Sequence, residues 1–112
     1  MAYMKPLDSL KTMRECALKL LEEASEACEA IKRYDKSKDS VAGEFSLTYR
    51  EALLELADVE QCVCNCLHAI GARQEDWKYA VFTVRERNAK RGRHEVEDAG
   101  ELTMNWVIIH DL

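Results

Sequence analysis

The chain has 112 residues, 47% of them hydrophobic and 33% charged, with a net charge of −5. That is one domain's worth of ordinary globular composition, which excludes a disordered tail. No apolar run exceeds the four residues of Tyr79–Phe82 and Trp106–Ile109, against the roughly 20 needed for a membrane span; the acidic balance argues against a dedicated nucleic-acid module. The expected partners therefore include neither membrane nor nucleic acid.

Punctuation is sparse. Four glycines and one proline cut the chain into long breaker-free segments, as in a helical protein. Five cysteines follow an N-terminus without a secretory pattern, so reduced thiols in a cytoplasmic setting are expected.

The first helix is predicted to start after Asp8 or Ser9 and to run to about Tyr34. Leu10, Met13, Ala17, Leu20, Ala24, Ala27 and Ile31 recur at alternating spacings of three and four. That heptad seam suits lengthwise packing on a partner helix. Residues 33–47 lose the period and read as a polar connection, with at most a short turn of helix. Thr48 with Glu51 reads as a capping box opening a second helix, which runs to Ile70 and stops at Gly71. Leu53, Leu56, Val63, Leu67 and Ile70 form its apolar stripe. Glu60 falls inside that stripe, where a carboxylate needs a partner or a site. A third helix spans about Gln74 to Lys90, with Trp77, Ala80, Val81 and Val84 on one face and Gly92 beyond its end. Residues 93–112 read as a separate tail, with a β-prone stretch suited to a short strand or extended arm.

Two acidic quartets stand out, Glu23-Ala24-Ser25-Glu26 and Glu55-Leu56-Ala57-Asp58. At about 100° per residue, acids three apart sit about 60° apart around a helix. Measured from Ala24 and from Leu56, both pairs hold the same angular positions. Antiparallel packing of the two helices would let them close a cup of four carboxylates. Such a cup is tolerable only when cations neutralise it, and an oxygen-only set suits Mg²⁺ or Mn²⁺ better than zinc. Mg²⁺ is commonly shared with substrate phosphates, which points to a nucleotide or pyrophosphate ester. The plain alternative is a solvated helix face, which Glu22 and Glu29 fit well.

The run Leu20-Leu21-Glu22-Glu23-Ala24-Ser25-Glu26, followed by Glu55-Leu56-Ala57-Asp58, resembles the MazG family of all-α nucleoside triphosphate pyrophosphohydrolases. The family carries Glu-Glu-x-x-Glu on one helix and Glu-x-x-Asp on the next. The 28 residues between Glu26 and Glu55 are at the long end of its usual gap. Arg87-Asn88-Ala89-Lys90-Arg91-Gly92 is similar to the family's Lys-Asn-x-x-Arg ending, with Arg87 at the Lys position. The resemblance spans about residues 10 to 93 and implies an all-α bundle of long antiparallel helices, in a homodimer or homotetramer. It implies Mg²⁺-dependent hydrolysis of a nucleoside triphosphate to a monophosphate and pyrophosphate. Glu23, Glu26, Glu55 and Asp58 would then hold the metal, and Arg87, Asn88 and Arg91 would reach the substrate. Either Glu22 or one of the four ligands would serve as base. Two other readings stay open: a phosphoribosyl-ATP pyrophosphohydrolase, and a non-catalytic helical interaction protein on the same scaffold.

Two further features have simpler readings. Arg85, Arg87, Lys90, Arg91 and Arg93 suit either a phosphate clamp or a cation-rich helix end. Cys62, Cys64 and Cys66 do not share one helix face and lack a second zinc-spaced pair, so they read as small packing residues.

Overall fold

The computed structural model describes residues 5–7, 12–39 and 42–93, with backbone alone for 42–45. Three helices carry all the regular structure among the described residues: α1 (Met13–Ser37), α2 (Ala42–Ala69) and α3 (Gln74–Lys90). The protein is thus all-α over this range. No described helix is long and apolar enough to cross a membrane. The proposed C-terminal arm lies outside the described residues. The helices fall into two compact units, one formed by Lys5–Ile70 and the other containing α3.

α1 begins later than the sequence suggested. Thr12 adopts an extended conformation and its hydroxyl accepts the Glu15 amide at 3.0 Å. A Thr-x-x-Glu pattern therefore marks this helix start, four residues beyond Asp8. The helix continues to Ser37, whose hydroxyl donates to the Tyr34 carbonyl at 2.9 Å and meets the Thr48 hydroxyl. α2 already starts at Ala42, so Thr48 is not its cap and most of the polar connection is helical. The contact with buried Ser37 gives Thr48 its place instead, pinning the closed end of the hairpin.

α1 and α2 run antiparallel. Ser37 meets Thr48 near the turn, Arg33 lies 3.7 Å from Glu51, and Cys66 Sγ donates to the Cys16 carbonyl at 3.5 Å at the far end. Tyr34 and Tyr49 add a tilted ring contact with centroids 5.7 Å apart. The buried α1 positions are Cys16, Glu23, Ala27, Ala30 and Ser37. This is a heptad pattern, but rotated from the predicted one. Ala27 belongs to both and Leu20 is half-buried, whereas Met13, Ala17 and Ile31 are exposed and Cys16, Glu23 and Ala30 face inward.

α2 answers with Ala52 and Cys62 buried and Glu55, Val59, Cys66 and Ala69 half-buried. The expected stripe is displaced here too, because Leu53, Leu56 and Ile70 are exposed. Both seams are lined by small side chains, which allow close approach of the two backbones. The larger residues, including Leu18, Leu21 and Leu54, are left on outer faces.

Gly71 follows α2 with φ +73°, and Gly92 follows α3 with φ +77°. Gly71 provides the left-handed cap read from the sequence, and Gly92, read as the end of α3, is left-handed as well. α3 matches its predicted bounds, and Asp76 accepts the Arg73 backbone amide at 2.9 Å at its start. None of its residues is buried. Trp77 is half-buried, and it lines a shallow groove of about 310 Å³ with Ala80, Val81, Val84 and Arg85.

Candidate carboxylate site

The hairpin brings the two acidic quartets together. Carboxylate oxygens of Glu23, Glu55 and Asp58 lie within 4.8 Å of one another, and those of Glu22, Glu23 and Glu26 do likewise. Glu23 belongs to both sets. It is 7% exposed and sits in the seam itself. Glu55 is half-buried opposite it, while Glu22, Glu26 and Asp58 are exposed. The expected cup of four is thus replaced by two triads that share Glu23: Glu26 gathers with Glu22 and Glu23 on α1, while Glu55 and Asp58 gather with Glu23 across the hairpin.

Two oxygens at this meeting point lack partners. Glu23 Oε2 and Glu55 Oε2 are buried without a hydrogen bond. A buried carboxylate oxygen without a donor is unfavourable in a folded chain. The crowding reaches Glu26, whose carboxyl is pushed above its ordinary range by the charge of Glu23, then by burial and by Glu55 and Glu22. An oxygen-only donor set with unsatisfied buried oxygens fits a hard divalent cation, and Glu23, Glu55 and Asp58 would be its nearest protein ligands.

One cation is built in. Lys19 Nζ lies 2.9 Å from Glu23 Oε1 and 3.6 Å from Glu22 Oε2. Its hydrogen bond to Glu23 is the largest influence raising the ammonium above its ordinary range. The sequence reading missed this residue, although a Lys four positions before a Glu on a helix is a recognisable pair.

A cleft of about 130 Å³ opens beside the acids, lined by Leu7, Lys19, Glu23, Asp58, Gln61, Cys62 and Asn65. Asn65 is 3% exposed, and its side-chain oxygen accepts the Leu7 amide at 3.0 Å and Gln61 Nε2 at 3.1 Å. Gln61 also donates to the Lys5 carbonyl at 2.8 Å. The segment 5–7 is thereby strapped across α2 at the edge of the cleft. No residue pattern around Gln61 and Asn65 announces this, because their partners are backbone groups more than fifty positions away.

The cysteines behave as packing residues. None of the five forms a disulfide, and burial pushes Cys62, Cys64 and Cys66 above the ordinary thiol range. His68 is exposed and Glu60 half-buried.

Arg87, Asn88 and Arg91 belong to the other unit, at the end of α3. Arg87 and Arg91 are exposed and Asn88 is half-buried. The Asn88 carbonyl accepts the amides of Arg91 at 3.1 Å and Arg93 at 2.8 Å, tying down the basic turn.

Comparison of this chain with protein-family models, with curated proteins and with solved structures finds no match.

Proposed function

We propose that this chain is a Mg²⁺-dependent nucleoside triphosphate pyrophosphohydrolase of the MazG-like kind. The observation that carries the reading is the shared, buried Glu23. It joins two carboxylate sets, and its Oε2 and that of Glu55 are left without donors inside the seam. A hairpin seam needs no such arrangement for packing, whereas a site for a hard cation does.

Glu23, Glu55 and Asp58, with Glu22 and Glu26 at the rim, would hold Mg²⁺ or Mn²⁺. When bound, the ion offsets negative charge on the phosphates and on the leaving pyrophosphate. Glu22, which is exposed, or one of the four ligands would accept the proton of an attacking water. By the resemblance alone, Arg87, Asn88 and Arg91 would bind phosphate oxygens, a task suited to guanidinium forks. The exposed apolar residues Leu18, Leu21 and Leu54 support a homo-oligomer, because a lone hairpin would leave them in water. Five cysteines that form no disulfide suit a cytoplasmic setting.

The test is a pyrophosphate-release screen over canonical and modified nucleoside triphosphates with Mg²⁺ and with EDTA, including phosphoribosyl-ATP as a separate arm. Mg²⁺-dependent release from a triphosphate is expected. Release from phosphoribosyl-ATP alone would reassign the substrate, and no release from any compound would refute the enzyme reading. Light scattering checks the assembly, and a monomer mass would remove the oligomer.

A further inference from the structure

The carboxylate cluster contains its own cation, and the position of that cation bears on how the site is loaded. Lys19 lies one turn before Glu23 on α1, so its ammonium reaches Glu23 Oε1 at 2.9 Å and Glu22 Oε2 at 3.6 Å. Its side chain is 39% exposed and lines the cleft that Glu23 and Asp58 also line. The other Glu23 oxygen has no donor. The same carboxylate therefore presents one oxygen to Lys19 and keeps the other buried without a donor.

We propose that Lys19 is a positioning residue that exchanges partners: it holds Glu23 before a divalent cation binds, and holds a substrate phosphate afterwards. This deepens the pyrophosphohydrolase reading and rests on it.

Coulomb's law supplies both halves of the exchange. A divalent cation among Glu23, Glu55 and Asp58 is repelled by an ammonium hydrogen-bonded to the same carboxylate. It also weakens the attraction of that carboxylate for Lys19. A lysine has a flexible stem and a compact charge, so it changes partners without disturbing the helix. The cleft beside it is open to an anion, and a triphosphate brings the charge that the ammonium then lacks. Lys19 should consequently oppose metal in the empty protein and favour the metal-bound triphosphate.

Those opposite signs are the test. Lys19→Met keeps the length of the side chain and its helix preference while removing the charge. Mn²⁺ binding to the nucleotide-free protein, followed by electron paramagnetic resonance of the free ion, should tighten by about threefold or more. Binding of an α,β-methylene nucleoside triphosphate in saturating Mg²⁺, followed by calorimetry, should weaken by about tenfold. Lys19→Arg retains the charge and should leave both constants near wild type. Lys19→Gln should repeat the Met result, and serves in its place if the Met variant has lost its helical circular dichroism.

Two constants moving in the same direction, or neither moving, while wild type binds Mn²⁺, would overturn the exchange and leave the metal site standing. Wild type that binds no Mn²⁺ would overturn the metal reading and the exchange together.

Discussion

Replacing Glu23 by Gln keeps the shape of the side chain and takes one charge out of the α1–α2 seam. Glu23 is 7% exposed, and its carboxylate oxygens lie within 4.8 Å of those of Glu55 and Asp58. At an effective dielectric constant of about 20, two unit charges at that separation repel by about 3 kcal/mol. The variant loses this repulsion, and the new amide can donate to Glu55 Oε2, which has no donor now. It also loses the ion pair with Lys19, whose side chain is 39% exposed against 10% for Glu23, so solvent screens the pair on the lysine side and its loss offsets only part of the gain. The net expectation is a gain of about 1–3 kcal/mol in the absence of metal. Urea denaturation in EDTA measures it. The same titration in excess Mg²⁺ should stabilise wild type by mass action and leave Glu23→Gln nearly unmoved. A variant less stable than wild type in EDTA would refute the reasoning, because the Lys19 pair would then outweigh the crowding and no cation would be needed.

Glu55→Gln or Asp58→Asn should abolish Mg²⁺-dependent pyrophosphate release with circular dichroism unchanged; full activity in either removes that residue from the metal set. Arg91→Ala should weaken triphosphate binding by about 1.5–3 kcal/mol, the range for a charge-assisted hydrogen bond, and unchanged KM and kcat would return the basic turn to a helix-end role. The Arg73 side chain, then its backbone amide, hold the Asp76 carboxyl below its ordinary range. A depressed acid stabilises the fold above its unfolded pKa, and that stability is lost as pH falls through the folded value. Asp76→Asn should therefore lower the melting temperature at neutral pH, with the gap to wild type closing in acid; a gap constant with pH would refute it. Gly71→Ala places a side chain at φ +73° with no neighbour within 4 Å, so only backbone strain applies. It should cost about 1–2 kcal/mol by thermal melting, and no change would show that the turn relaxes.

Local rules were enough for some of this protein and not for the rest. The scarcity of breakers pointed to the helices that carry all the regular structure among the described residues. Gly71 and Gly92 marked two helix ends, because a left-handed residue is a local requirement that glycine meets best. α3 could be bounded from sequence for the same reason, its cap and its stop lying within the segment itself. The matched spacing of the two acidic pairs was also legible, since angular position around a helix depends only on residue number. The start of α2 was not, because Thr48 satisfies a capping pattern equally well as a contact to Ser37 across the hairpin. Nor was the face of α1 that turns inward. Hydrophobicity favoured Met13, Ala17 and Ile31, but the paired backbones bury the small Cys16 and Ala30 and, with them, Glu23. Which of two overlapping heptad columns is buried depends on the surface it meets, and that surface is on another helix. Only the tertiary structure therefore decided that a carboxylate lies in the seam, that Glu55 and Asp58 face it, and that Gln61 and Asn65 hold segment 5–7 beside it.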